Sequence, residues 1–243
     1  MSIKQPSNKQ SNTTLSTTLL RCKSLSCERD GRILFEGLAL DVNQGDIIQI
    51  EGPNGVGKTT LLRAITGLFP DYKGDITWKG ESTHRVRADF LGDLLFIGHL
   101  AGVKKTLTPR ENLLFLTQLS NQSYESTAKD AIDSALAKVG LYGYEDLPGY
   151  QLSAGQLRRV GLARLYLSSS PLWVLDEPYT AIDKEGIAHL EQLFIDHANK
   201  GGALILTSHQ APNIPHLKRI NLLDFPAQIL ADEDEMLEAD YDA

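Results

Sequence analysis

The sequence predicts an α/β fold, with a parallel sheet core, an N-terminal antiparallel β subdomain and an inserted helical subdomain. Three observations carry that prediction. Residues 47–50 are an apolar run that enters a glycine-rich turn and then a helical pattern over 59–66. Residues 172–175 are a second apolar run, of the kind buried on both faces of a parallel sheet, and two acids follow it. Between them, from Thr108, the periodicity changes to helix. Bulk properties agree. The chain has 243 residues, 42% of them apolar and 23% charged, which is ample for a sizeable core and excludes wholesale disorder. No stretch approaches the roughly 18 consecutive apolar residues of a membrane span.

Short β-like runs at 19–24, 32–35 and 38–42 are joined by the turn signals Asp30-Gly31 and Asn43-Gln44-Gly45. Residues 75–79 read as a further strand. Thr108-Pro109-Arg110-Glu111 is a capping box with Pro at the first helical position. Ile132, Ala135, Leu136 and Val139 recur at helical spacing and stop at Gly140. A third helix runs from Ser153 toward Ser168, and a helix over 184–198 with a strand at 203–206 completes the alternation. The expected organisation is a tail at 1–18, one domain over 19–230 with its helical subdomain at about 100–165, and an acidic tail at 231–243.

Charge and cysteines narrow the class. The net charge is −7, and the last twelve residues hold seven acids and no Lys or Arg, so the body is neutral. That balance argues against a dedicated nucleic-acid binder, which shows a basic footprint. Residues 1–18 are rich in Ser, Thr, Asn and Gln and lack the apolar centre of a secretory signal. Cys22 and Cys27 are too few for a disulfide scaffold and read as ordinary strand residues in a reducing setting.

Gly52-Pro53-Asn54-Gly55-Val56-Gly57-Lys58-Thr59 satisfies the phosphate-loop pattern, between a strand and a helix as the chemistry requires. Glycines let successive N–H groups converge on phosphate oxygens, and the helix N-terminus adds its positive end. Lys58 reaches the β- and γ-phosphates, the Thr59 hydroxyl ligates Mg²⁺, and Thr60 continues the nucleotide-binding segment. Asp176 emerges at the carboxyl end of its strand, where open α/β sheets bind ligands, and suits Mg²⁺. Glu177 beside it is placed to take a proton from an attacking water.

Leu152-Ser153-Ala154-Gly155-Gln156, followed by the basic and apolar residues to Arg164, resembles the signature of ATP-binding cassette (ABC) ATPases. Together with the two nucleotide motifs it covers about residues 19–225. The resemblance implies ATP and Mg²⁺ as ligands and a head-to-tail self-dimer, in which Ser153, Gly155 and Gln156 of one copy close the nucleotide held by the other. It puts Thr180-Ala181-Ile182-Asp183 at the D-loop and His209 at the switch position that stabilises the γ-phosphate charge. His99 stands where the family has a Gln that senses Mg²⁺ and water. Arg29 stands where many relatives stack an aromatic on adenine; an Arg plane can also stack.

Gly98-His99, Ala154, Ser170-Pro171-Leu172-Trp173, His209-Gln210 and the segment 25–35 look like the heme-exporter branch of that family, the ATPases of cytochrome c maturation. That likeness implies a peripheral subunit at the cytoplasmic face of the inner membrane. Its implied partners are an integral membrane permease, heme-handling membrane proteins and a heme chaperone. The chain itself has no C-x-x-C-H heme attachment motif. The rivals are another importer or exporter ATPase, a soluble ABC ATPase without a permease, and a binding-only nucleotide sensor.

Overall fold

The computed structural model describes residues 18–100, 102–119 and 128–227. The tails expected at 1–18 and 231–243 lie outside these residues, except for Thr18, which opens the first strand. That strand, β1 (Thr18–Arg29), pairs with β2 (Arg32–Asn43) across Asp30 and Gly31. Both turn residues have positive φ, 54° and 73°, the signature of a tight hairpin turn whose twist matches the strands. β1 runs past the predicted end at residue 24 because it bulges there. Ser24 sits at φ 49°, and the register shifts between Cys22 and Leu25, which breaks the alternation a sequence reading follows.

β3 (Ile47–Glu51) leads through the glycine loop into α1 (Lys58–Ile65). β4 (Tyr72–Trp78) returns to β1 and carries the short β5 (Glu81–Ser82). Next come α2 (Arg87–Gly92) and β6 (Leu94–Ile97), neither of which the sequence reading anticipated. The helical segment comprises α3 (Pro109–Leu119), α4 (Ala128–Lys138) and α5 (Ala154–Ala163). α5 stops short of the predicted Ser168 and tightens into a 3₁₀ turn over Arg164–Tyr166. Then follow β7 (Leu172–Asp176), α6 (Lys184–Asn199), β8 (Ala203–Thr207) and β9 (Lys218–Asn221), the last also unanticipated.

Among the described residues the antiparallel sheet has the order β2-β1-β4-β5 and the parallel sheet β6-β7-β8-β3-β9. The central strands are buried on both faces, and period-two geometry sorts their side chains. Val174 and Ile205 point to a core shared with α1 and the antiparallel sheet, including Leu61, Ile65, Phe35 and Trp78. Trp173, Leu175, Leu204 and Leu206 point to a second core under α6, with Leu190 and Phe194. Each fully buried side chain of this size is worth about 1.5–3 kcal/mol relative to exposure. A third core lies within the helical segment, formed by Leu113, Ile132, Leu136, Leu152 and Val160.

Local signals work as expected in α3 and α4. Thr108 and Glu111 bond reciprocally, backbone to side chain, at 2.8 and 3.2 Å. Gly140, at φ 70°, ends α4 while Leu141 N–H bonds back to Leu136 O at 2.9 Å. Cys22 and Cys27 are each 1% exposed, and burial pushes both thiols up to about 12, so they stay protonated and act as small apolar residues.

His197 on α6 stacks on Trp173 of β7, with ring centroids 3.7 Å apart and 7° between planes. Burial pulls its pKa down from 6.5 to about 4. Folding therefore excludes a proton that the unfolded chain binds. The stabilisation is full above pH 6.5 and is lost as pH falls toward 4. Melting temperature should accordingly drop across that window, and His197→Phe, which keeps a ring on Trp173, should drop less steeply.

Candidate nucleotide site

The carboxyl ends of β3, β7 and β8 meet at one edge of the parallel sheet, and the loop after β6 joins them. They wall a cleft of about 590 Å³. Pro53, Asn54, Gly55, Gly57, Lys58, Thr59 and Thr60 form its floor, Asp176 and Glu177 one side, and His99 and His209 the rim. Arg29, Asp30, Arg32 and Leu34 of the hairpin close the far end. Residues from five separate stretches of sequence thus converge on one space.

The loop's shape rests on its glycines. Gly52, Gly55 and Gly57 have φ of 139°, 80° and 112°, a region that residues with a Cβ rarely adopt. Gly57 is also the N-cap of α1, and a Cβ there would stand 3.0 Å from the Leu34 Cβ. Val56, half-buried, packs against the main core and would lie 2.8 Å from a Cβ on Gly52. Lys58 is only 9% exposed, and its ammonium donates to Gly52 O at 2.6 Å and Pro53 O at 3.3 Å, holding a positive charge inside the curl.

Asp176 is 2% exposed and fully engaged. Its carboxylate accepts from Thr59 Oγ1 at 3.0 Å and from Thr207 Oγ1 at 2.8 Å. The Thr207 hydroxyl in turn accepts from the Glu177 N–H at 2.9 Å. Glu177 follows the strand at φ 53°, in the left-handed region, which swings its side chain toward the switch segment. One carboxylate oxygen accepts from the His209 N–H at 3.2 Å. The other is buried without a hydrogen-bond partner, with His209 Nε2 standing 3.5 Å away. Glu177 lines the phosphate-binding cleft, where a carboxylate is a candidate proton acceptor.

The signature residues lie elsewhere. Ser153 caps α5: its hydroxyl accepts from Gln156 N–H at 3.2 Å, and Gln156 Oε1 accepts from Ser153 N–H at 2.8 Å. Gly155 sits against the D-loop, where an added Cβ would stand 3.4 Å from that of Ala181. Asp183 caps α6 through Gly186 N–H at 2.8 Å. None of Ser153, Gly155 and Gln156 lines the cleft of its own chain.

Two residues that the sequence reading did not single out hold the site together. Thr207 bridges the two acids, as described. Arg158 of α5 reaches into the core and donates to the carbonyls of residues 98, 99, 176 and 177. A Thr closing a strand and one Arg among several in a basic stretch carry no spacing signal. Arg29 takes its predicted place at the cleft, with its guanidinium 3.4 Å from the Asp30 carboxylate.

Comparison with known proteins identifies the family. The ABC transporter family profile matches residues 35–180. The chain is 53% identical over 192 residues to the cytochrome c biogenesis ATP-binding export protein CcmA of Yersinia pestis, covering 79% of this chain and 86% of that protein. A putative ABC transporter ATP-binding protein from Pyrococcus furiosus superposes with a TM-score of 0.72 at 25% identity, over 86% of this chain and 99% of that one. A dimeric ATP-binding cassette solved in a post-hydrolysis state with ADP and phosphate has the same fold, with a TM-score of 0.70 at 20% identity over 79% of this chain and 88% of that one. The chain belongs to the ABC transporter family of ATP-binding, ATP-hydrolysing subunits, among the cytochrome c biogenesis ATP-binding export proteins.

Proposed function

We propose that the chain is the ATPase subunit of a heme exporter, peripheral to the cytoplasmic face of the inner membrane, and that it drives heme export or release of a heme-loaded chaperone. The observation that carries the catalytic part is the convergence of Lys58, Thr59, Asp176, Glu177 and His209 on one cleft, which Ser153 and Gly155 of the same chain do not line. Such a site is completed by a second copy, whose α5 N-terminus supplies N–H groups and a positive dipole end to the γ-phosphate. The branch assignment is supported by the cytochrome c biogenesis relatives and by Gly98-His99 and His209-Gln210, the motif variants of that branch.

The donor set fits Mg²⁺. The Thr59 hydroxyl and Asp176 carboxylate are hard oxygen donors 3.0 Å apart. No group of three or more metal-binding side chains occurs among the described residues, which suits an ion that completes its shell with phosphate oxygens and water. Thr59 and Asp176 would hold the ion, which would supply charge neutralisation to the nucleotide's phosphates. Lys58 holds the same phosphates from the loop side. Glu177 takes the proton from the attacking water at its free carboxylate oxygen, and His209 contacts the γ-phosphate and stabilises its charge.

An integral membrane permease is the expected partner. No helix among the described residues is long and apolar enough to cross a membrane. Deleting the gene and staining for heme should show loss of c-type cytochromes, restored by the intact chain and not by a Glu177→Gln copy. Normal staining in the deletion strain would overturn the heme assignment and leave the ATPase assignment standing.

A further inference from the structure

Arg158 is 7% exposed, and a guanidinium so deeply buried persists only where acceptors replace water. Its acceptors are four backbone carbonyls on two different strand ends. Nη1 donates to Gly98 O at 2.5 Å and His99 O at 3.1 Å, in the loop after β6. Nη2 donates to Asp176 O at 2.7 Å and Glu177 O at 3.0 Å, at the end of β7. Burial pulls the guanidinium's pKa down and the two neighbouring carboxylates oppose that pull. The side chain does not line the nucleotide cleft.

Glu177 needs such a hold. A non-glycine residue stays in the left-handed region only where its surroundings over-determine it. Its N–H is fixed by the Thr207 hydroxyl at 2.9 Å and its carbonyl by Arg158 at 3.0 Å. With both flanking peptide groups pinned, the direction of the Glu177 side chain is set.

We infer that Arg158 is a positioning residue for Glu177, aiming the carboxylate through the main chain and tying that aim to the orientation of α5. The same helix presents Ser153 and Gly155 at its N-terminus, where the second copy's nucleotide is closed. A roll of α5 therefore moves the closing surface for one nucleotide and the base for the other together. This inference rests on Glu177 being the general base.

The test uses the full chain carrying Arg158→Lys or Arg158→Gln, each alone and combined with Glu177→Gln. Single-turnover hydrolysis of MgATP and MgATP affinity are both measured. Misplacing a reacting group by about 1 Å costs up to about 10²-fold. Each single variant should therefore lose roughly 10–10²-fold in hydrolysis rate, with affinity changed by no more than about twofold. On the Glu177→Gln background the same substitutions should cost about twofold or less, because the group they aim is gone. Wild-type rates, or equal losses on both backgrounds, would overturn the inference. So would loss of affinity alongside rate in both variants, including through failure to fold, since that marks a scaffold residue. Wild-type turnover in Glu177→Gln alone would instead overturn the base assignment, an outcome read without reference to Arg158.

Discussion

Replacing Glu177 with Gln lowers steady-state ATP turnover by about 10²–10⁴-fold, the usual contribution of a positioned general base. The substitution is nearly isosteric and keeps an oxygen to accept from the His209 N–H, now 3.2 Å away. It removes the free carboxylate oxygen that would take the proton. MgATP affinity should therefore remain within a few fold, and nucleotide should accumulate unhydrolysed, trapping a dimer with both composite sites closed. Phosphate release and size-exclusion chromatography with and without ATP measure the two halves of this expectation. Turnover near the wild-type rate would remove Glu177 from the base role.

Lys58→Met acts earlier in the cycle. The substitution keeps most of the side chain's length and its buried stem but deletes a charge that sits inside the loop, 2.6 Å from the Gly52 carbonyl. Losing charge-assisted hydrogen bonds worth about 1.5–3 kcal/mol weakens MgATP binding by roughly 10–10²-fold. Turnover at saturating ATP should fall by a further 10²–10³-fold or so, as when one donor to a developing oxyanion is removed. The two substitutions thus separate by affinity: a fluorescent ATP analogue should bind to Glu177→Gln and be largely lost from Lys58→Met.

Much of this site was legible because its chemistry constrains local sequence. The curl from Gly52 to Gly57 needs three positive φ values, and glycines at those positions announce it. Asp176 is legible because a run of four apolar residues fixes where a parallel strand ends. The signature helix is legible from Leu152-Ser153-Ala154-Gly155-Gln156, and the structure adds a capping box between Ser153 and Gln156. What stayed hidden depends on contacts between distant segments. Thr207 matters because β8 lies next to β7 and puts its hydroxyl between two acids 31 and 30 residues away in sequence. Arg158 matters because α5 packs where it can reach carbonyls 60 and 18 residues away. The missed elements have a different cause. β9 has three polar residues out of four at an edge of the sheet, and α2 spans under two turns, so neither shows a period long enough to read.

The three cores described above have a mechanical consequence. α5 gives Val160 and Ala163 to the core of the helical segment and Leu162 to the core beneath α6. A swing of the helical segment would load the contacts of this helix, which joins two cores. Collective motions of such segments run on microseconds to milliseconds, faster than unfolding. Arg158, on the same helix, donates to the main chain of Asp176 and Glu177. On the proposed function, force applied by a membrane permease would therefore be felt at the hydrolytic carboxylate within one subunit.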